Sequence, residues 1–504
     1  MPDLSFTGPG EVHAPYLDVD QIEKALKEHG SCIDTLSHFL PGKVFTKNKP
    51  SYNEYLDTFW LGPAREIFPR CVVIPSNTSD VSKAISVLSS ALKLGIDCKF
   101  AIRSGNAAAF ANLSNIDDGI VIWLKDLKEL DLAEDRSVIR VGPGNSAGDV
   151  YGKLDPMDLT AVLGLHSMLG VSGLVLGGGW SSILSPQYGL ACDNVLNFEV
   201  VLSSGAVVNV NATSNPDLFR ALKGGASNFG IVTRFDLAVI KLGSFSGGQI
   251  FADLSKRQEI FRFAENYMKA DDYTPQASMI MNLGYMAGMG WGMFYFPTYI
   301  GPEENPSILA PVLKMNDVKS TFRVSHTREF TDQLDQMIPP GLRSTVSTFT
   351  FSLNAEFMEV YFQMAKEMVD ELKDIFPGFA AAVAFHPFPK QAFSQSKKSG
   401  GNSLGLSEED GDICKTFAYM MWDSAKDDEK VKAAMKDLIE RGKTEAVRRG
   451  LLKDYVPISY AAPWQDVFGG YGKENLEAMR QASKKYDPLQ LFQLAVPGGW
   501  KLSK

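Results

Sequence analysis

Residues 164–194 read GLHSMLGVSGLVLGGGWSSILSPQYGLACDN. Six of the first sixteen positions are glycine, yet Val, Leu and Met stand between them. Glycine loses more backbone entropy on folding than any other residue and brings no side chain to pack. Its clustering inside apolar sequence marks a place where something approaches the main chain closely. A buried planar or phosphorylated cofactor meets that description.

The rest of the chain narrows the class. At 504 residues it exceeds what one core usually holds, so two domains are expected. Apolar content of 45% and charged content of 22% are ordinary for a soluble globular protein. A net charge of −9 argues against a nucleic-acid partner, which would want a basic stripe. The window 161–179 is apolar but holds six glycines, His166 and two serines, and no basic residues flank it. It is therefore not read as a membrane span. The first twenty residues have neither a basic nor an apolar leader segment, so no secretory signal is expected. Five cysteines at 32, 71, 98, 192 and 414 make an odd count without CxxC spacing. They are expected as reduced, mostly buried thiols in the cytoplasm, with no metal, and pairing of Cys32 with Cys71 is left open.

Periodicity predicts a helix over 80–95, from Asp80 to Gly95, and short β-rich runs at 98–105, 119–127 and 137–144. A further helix is expected over 146–154 and a hairpin over 197–211. The first half reads as α+β without a regular β-α-β cadence. Beyond about residue 245, Met and aromatic residues dominate, with two or three strands over 279–301 and another at 417–423. Helices are expected at 256–269, 355–376 and 427–447, and the tail 471–504 reads as a helix followed by a turn.

Three small-residue loops carry the chemistry. The first, Arg103-Ser104-Gly105-Asn106-Ala107-Ala108, follows a strand, where successive N–H groups can form a nest for pyrophosphate. The second is the 164–179 stretch, with His166, Ser167, Gly170, Val171, Gly173, Gly177 and Gly178. The third runs from Gly224 to Thr233 and includes Asn228, Gly230, Ile231 and Val232. Together with Val141-Gly142-Pro143-Gly144, Tyr188 to Asn194, and Tyr486-Asp487-Pro488, these loops resemble the FAD-binding domain of the vanillyl-alcohol-oxidase (PCMH) superfamily. The likeness is closest to the berberine-bridge-enzyme-like oxidoreductases of fungal secondary metabolism. It implies an α+β, two-domain PCMH-type fold with an antiparallel-sheet substrate domain. The domains expected are 1–242 for FAD (core about 65–240), 243–465 for substrate, and 466–504 returning to the FAD domain. No strand–GxGxxG–helix unit of Rossmann type is present.

Departures from the family pattern shape the functional expectation. Members usually read R-x-G-G-H in the first loop, the histidine bonding covalently to the flavin; Ala107 stands there. Members with a second tether carry a cysteine where this chain has His166, so FAD is expected to bind non-covalently. The family's Tyr-x-Asn-Tyr is Pro457-Ile458-Ser459-Tyr460 here, and Leu169 replaces a smaller valine, which disfavours oxygen access. Tyr460 and Tyr419 are candidate bases if a nearby cation lowers their pKa; His386, Lys390 and Trp422 are further pocket candidates. Gly144-Asn145-Ser146-Ala147-Gly148 matches the GxSxG nucleophile elbow but coincides with the family's turn. The expected function is oxidation of an apolar, aromatic or polyketide/alkaloid-type small molecule by hydride transfer to flavin N5. The alternative is redox-neutral cyclisation or isomerisation on the same fold, with FAD structural or absent.

Overall fold

The computed structural model describes residues 16–336, 340–376 and 378–503. The stretch read as lacking a leader falls mostly at residues 1–15, outside the described residues. Among the described residues, β1 (Val44–Thr46), β2 (Cys71–Val73), β3 (Phe100–Arg103) and β4 (Ile120–Trp123) form a sheet of order β1-β2-β4-β3. β2 and β3 both run parallel to β4, with α1 (Thr78–Lys93) crossing between them. This β-α-β unit is absent from the sequence reading because strands of three or four residues carry too little periodicity to identify. Asn77, rather than Asp80, caps α1 by accepting the Asp80 N–H, which leaves Asp80 as an acid in the first turn.

A second, antiparallel sheet has order β5-β6-β9-β7-β8. Its strands are β5 (Leu130–Leu132), β6 (Val138–Val141), β7 (Val195–Val201), β8 (Val207–Val210) and β9 (Ile231–Ala238). α2 (Ala147–Leu154) starts on a reciprocal cap in which Ser146 accepts the Asp149 N–H and Asp149 accepts the Ser146 N–H. The serine of the GxSxG match is thus a helix cap, not an exposed nucleophile. α3 (Val171–Leu176) and α4 (Pro216–Leu222) complete this half.

From Phe245 the chain enters a ten-stranded antiparallel sheet. Its middle has the order β11-β10-β13-β14-β12, formed by β10 (Ala277–Met286), β11 (Gly290–Tyr299), β12 (Arg343–Ser352), β13 (Ala380–Phe388) and β14 (Ile413–Trp422). Side chains alternate between its faces. Met281, Phe349, Phe385 and Trp422 join a core under α5 (Arg257–Lys269), α7 (Ala355–Leu372) and α8 (Asp428–Arg448). Ile280 and Phe296, on the other face, belong to the same apolar cluster as Val141, Val171 and Phe235. The sheet therefore lies with one face against the glycine-rich half. α6 (Thr327–Asp335), between α5 and α7 in sequence, packs on α2.

The tail folds back on the first half. α9 (Lys473–Tyr486) packs on α4, and α10 (Leu491–Leu494) places Leu491 and Phe492 in the core around α1 and β3. Cys32 and Cys98 form a disulfide with Cα atoms 6.4 Å apart, while Cys71, Cys192 and Cys414 are free and buried. This corrects the expectation of five reduced thiols: the pairing spans 66 residues and leaves no motif in the sequence. A disulfide suits oxidising surroundings, so the cytoplasmic expectation loses the support it drew from free thiols. No helix of the described residues is long and apolar enough to cross a membrane.

Candidate active site

Arg103 ends β3 fully buried, and its guanidinium turns back into the protein. It lies 3.5 Å from the Phe59 ring centroid and donates to Tyr55 O, Thr58 Oγ1 and Asn106 Oδ1 at 2.8–2.9 Å. A longer bond reaches Gly105 O at 3.3 Å. Arg103 thus holds the shape of the first loop and has little donor capacity left for anything outside it. We expect Arg103→Met to remove the charged donor that ties Tyr55 O, Thr58 Oγ1 and Asn106 Oδ1 together, with Tyr55 O keeping only the Thr58 hydroxyl. Urea unfolding should register a loss on the order of 3 kcal/mol.

The backbone of the loop is arranged differently. The N–H groups of Gly105, Asn106, Ala107 and Ala108 donate to no acceptor among the described residues. Gly105 also touches Gly170 at the head of α3. A Cβ added at Gly105 would sit 2.9 Å from Gly170 Cα, and the same contact holds in reverse. Ser104 lies beside this crossing. One turn into α3, a Cβ on Gly173 would meet nothing within 4 Å. The first two loops therefore meet backbone to backbone, with free amide donors on one side and open space over α3 on the other.

His166 and Ser167 precede α3 and are clamped by α6. His166 Nδ1 lies 2.9 Å from Asp335 Oδ1, while Asp335 Oδ2 accepts the Met168 N–H at 2.9 Å. Ser167 Oγ and Thr331 Oγ1 are 2.7 Å apart. A carboxylate at Nδ1 holds the proton there and leaves Nε2 bare in the neutral ring. His166 is 30% exposed. Leu169 folds onto Gly164, where its Cδ1 would lie 2.7 Å from an added Cβ. We expect Asp335→Ala to leave the Met168 N–H unpaired and to cost about 1–3 kcal/mol, read as a lower thermal midpoint.

Gly177 ends α3, and Gly178 adopts φ +103° beside Leu404. In the third loop, the Asn228 amide donates to Gly225 O and Trp500 O at 2.8 and 3.1 Å, and Gln493 donates to its Oδ1 at 2.9 Å. Its side chain is therefore occupied in tying the tail to the loop. Gly230 packs against Val201 O, and Ile231 and Val232 are buried at the start of β9.

The sheet face opposite these loops carries the remaining groups. His386 on β13 and Lys415 on β14 are paired in register, and Phe417 lies two residues further on β14. Lys415 is 2% exposed and His386 4%. Lys415 Nζ stands 4.3 Å from the Tyr460 ring centroid, and Tyr460 stacks on Phe417 at 4.3 Å. His386 meets Phe417 edge-on at 5.2 Å, and its Nδ1 has no hydrogen-bond partner. Burial, then the charges of Lys415 and His166, push His386 well below the usual imidazole range, so the ring is neutral. Burial also lowers the Lys415 amine to about 7.

Several site expectations change here. Burial pushes the Tyr460 phenol up to about 12 despite the amine over its ring, and Tyr419 is also raised by burial. Neither is a phenolate near neutrality: desolvation outweighs the neighbouring cation. Lys390 is exposed at the turn after β13, its N–H donating to Asp412, and stands outside the cluster. Trp422 faces the opposite core and donates to Asp428. Sequence reasoning missed Lys415 and Asp335. Lys415 was legible by alternation with Phe417 and Tyr419, had the strand been carried back to Ile413; Asp335 left no local signal.

The loop amides, the Gly105–Gly170 crossing and the open space over α3 fit a pyrophosphate and a flat ring system, the two parts of FAD. Comparison with known proteins agrees. Residues 69–211 match the family model described as "FAD binding domain". FAD-dependent monooxygenase tpcD of Cochliobolus heterostrophus is 32% identical, with 94% of this chain and 95% of that protein covered. FAD-dependent monooxygenase CTB5 of Cercospora beticola is 31% identical, with 94% and 92% covered. Among solved structures, xylooligosaccharide oxidase from Myceliophthora thermophila superposes with TM-score 0.73 at 19% identity, covering 92% of this chain and 98% of that one. Berberine bridge enzyme from Eschscholzia californica gives TM-score 0.71 at 13% identity, with 93% and 99% covered. The chain belongs to the same family of FAD-linked oxidoreductases as these fungal FAD-dependent monooxygenases, and it has the fold of berberine bridge enzyme.

Proposed function

We propose that this FAD-linked oxidoreductase holds its cofactor without a covalent bond and oxidises an apolar, aromatic or polyketide-type secondary metabolite. Residues 1–242 and 466–504 form the FAD side in this reading, and 243–465 the substrate side. FAD, when bound, would supply a two-electron acceptor for a hydride lost by the substrate carbon. The observation that carries the reading is the face formed by buried His386 and Lys415 with the half-buried Phe417–Tyr460 stack, whose neighbours Ile458 and Ser459 pack on Gly177. Non-covalent binding is supported by Ala107, since residues 104–110 contain no His, Cys or Tyr to form a tether.

On the protein side, Phe417 and Tyr460 supply a flat apolar wall, and the Tyr460 phenol remains protonated and able to donate. Lys415 is the group on this face able to take a proton at neutral pH. Arg103 and Asp335 act through the loops they hold.

The test is anaerobic mixing of the FAD-loaded protein with a panel of hydroxylated aromatic and polyketide-type compounds. Bleaching of the flavin band without oxygen is the expected result for hydride loss. Turnover that needs both oxygen and an added reductant would replace hydride transfer with monooxygenation, the activity for which the fungal relatives are named. Product formed with the flavin band unchanged throughout would replace both with redox-neutral catalysis.

A further inference from the structure

Beyond the row of His386 and Lys415, the substrate-side face of the ten-stranded sheet changes character. Ile280, Phe296, His386 and Lys415 are buried on it. Alternation carries the same face outward along the strands, first to Asn282, Phe294, Ala384 and Phe417, then to Gly284, Gly292, Ala382 and Tyr419. The next row pairs Met286 with Ala380. Cover falls away in step. Asn282, Phe294, Ala382 and Tyr419 are half-buried and Gly292 is exposed; Met286 is 44% exposed and Met289, at the hairpin tip, 81%. Phe251, paired across the strands with Phe294, is 41% exposed. Exposed apolar side chains scattered singly need no explanation, but a run that leads into a buried site does.

The rows form a trough. Tyr419 stands on one side and Phe294 with Phe251 on the other, while Ala384, Ala382 and Gly284 make the floor. Beside Gly284, a Cβ added at Gly292 would meet nothing within 4 Å. The floor is two strands wide, roughly 10 Å, and runs about 20 Å from Ile280 to Met286. His386 closes its inner end, with a buried Nδ1 that has no partner. A trough closed at one end receives a chain end-on and is too narrow to seat a folded partner. We infer that it is a binding lane for an extended alkyl or polyene arm of the substrate, whose reacting ring lies at the Phe417–Tyr460 stack. Ala382, Gly284 and Gly292 then set specificity by size, because a bulky side chain at any of them fills the lane. The Asn282 amide, which makes no hydrogen bond among the described residues, suits an oxygen carried on the arm. The inference rests on reading this face as the substrate side and deepens it, from an apolar molecule to one with a long arm.

The test titrates FAD-loaded protein with 3-n-alkylphenols carrying tails of one, four and eight carbons, with binding read from flavin fluorescence. The lane is open on one side and buries about half of each methylene. The eight-carbon compound should therefore bind on the order of a hundredfold more tightly than the one-carbon compound. In Ala382→Phe, and separately in Gly292→Phe, that ratio should fall below about tenfold. An aromatic ring suits a half-exposed pleated surface, so both variants should fold. Equal affinity along the series, a ratio that persists in both variants, or no binding of any member would each overturn the inference. So would a dimer in sedimentation that Met289→Glu dissociates, because a second copy of the chain would then cover the lane. The flavin band in the same sample reports FAD occupancy. Binding of the one-carbon compound to FAD-loaded protein with no gain from longer tails overturns the lane alone, whereas absence of FAD removes the proposed function first.

Discussion

Lys415→Met is expected to stabilise the protein at pH 7 by roughly 4 kcal/mol, because it removes an ammonium whose pKa falls from 10.5 to about 7 on burial. The sign follows from proton counting. Between about pH 7 and 10.5 the unfolded chain carries a proton at Lys415 that the folded chain has largely released. Stability therefore rises with pH over this window, by up to about 1.4 kcal/mol per pH unit. Lys223, buried and lowered to about 8, adds a parallel rise that begins higher. The opposing thiols are Cys71, Cys192 and Cys414, which burial pushes up, so their contribution is lost only as pH passes the ordinary thiol range. Urea midpoints measured from pH 6 to 9 should climb for the unsubstituted protein and climb less steeply for Lys415→Met. A variant that is less stable at pH 7, or one with an unchanged slope, would show that Lys415 is compensated inside the fold. Greater stability combined with loss of substrate turnover marks a group retained for its chemistry rather than for folding.

The second large effect is expected at the loop crossing. In Gly105→Val the new Cβ would stand 2.9 Å from Gly170 Cα and 3.1 Å from Gly170 N, against main chain rather than a side chain able to rotate away. Overpacking of this kind costs about 1–3 kcal/mol. Here it would separate the two loops read as enclosing the cofactor, so FAD affinity should fall roughly ten- to a hundredfold. Fluorescence titration with FAD measures this, with circular dichroism to confirm the fold. Gly292→Ala on β11 is the matched control: its Cβ also meets nothing within 4 Å and it stands in the second-half sheet rather than in the loops, so FAD affinity should be unchanged there.

The fold was legible where side-chain pattern and turn chemistry agreed. The β7–β8 hairpin, the α2 cap and the long apolar strands of the second half all announce themselves locally. The three-residue strand β2 and its parallel pairing did not, because pairing between distant segments leaves no short-range signature. The site was legible in a similar way. Glycines at 105 and 170 are conspicuous because two backbones meet there. The reading of Arg103 as a cofactor contact rested on its place in the motif, whereas its donors turn inward. The reading of Tyr460 as a base required knowing whether desolvation or a nearby cation prevails, which depends on three-dimensional burial. The His166–Asp335 contact joins residues 169 positions apart, and no sequence pattern connects them.

The most direct test of the whole account is an absorption spectrum of the purified protein before and after acid precipitation. The account predicts yellow protein that releases its flavin completely to the supernatant. Flavin retained in the pellet would contradict non-covalent binding and direct attention to His166, whose Nε2 is bare. Protein that remains colourless after addition of FAD would contradict the reading of the glycine loops as a cofactor cradle.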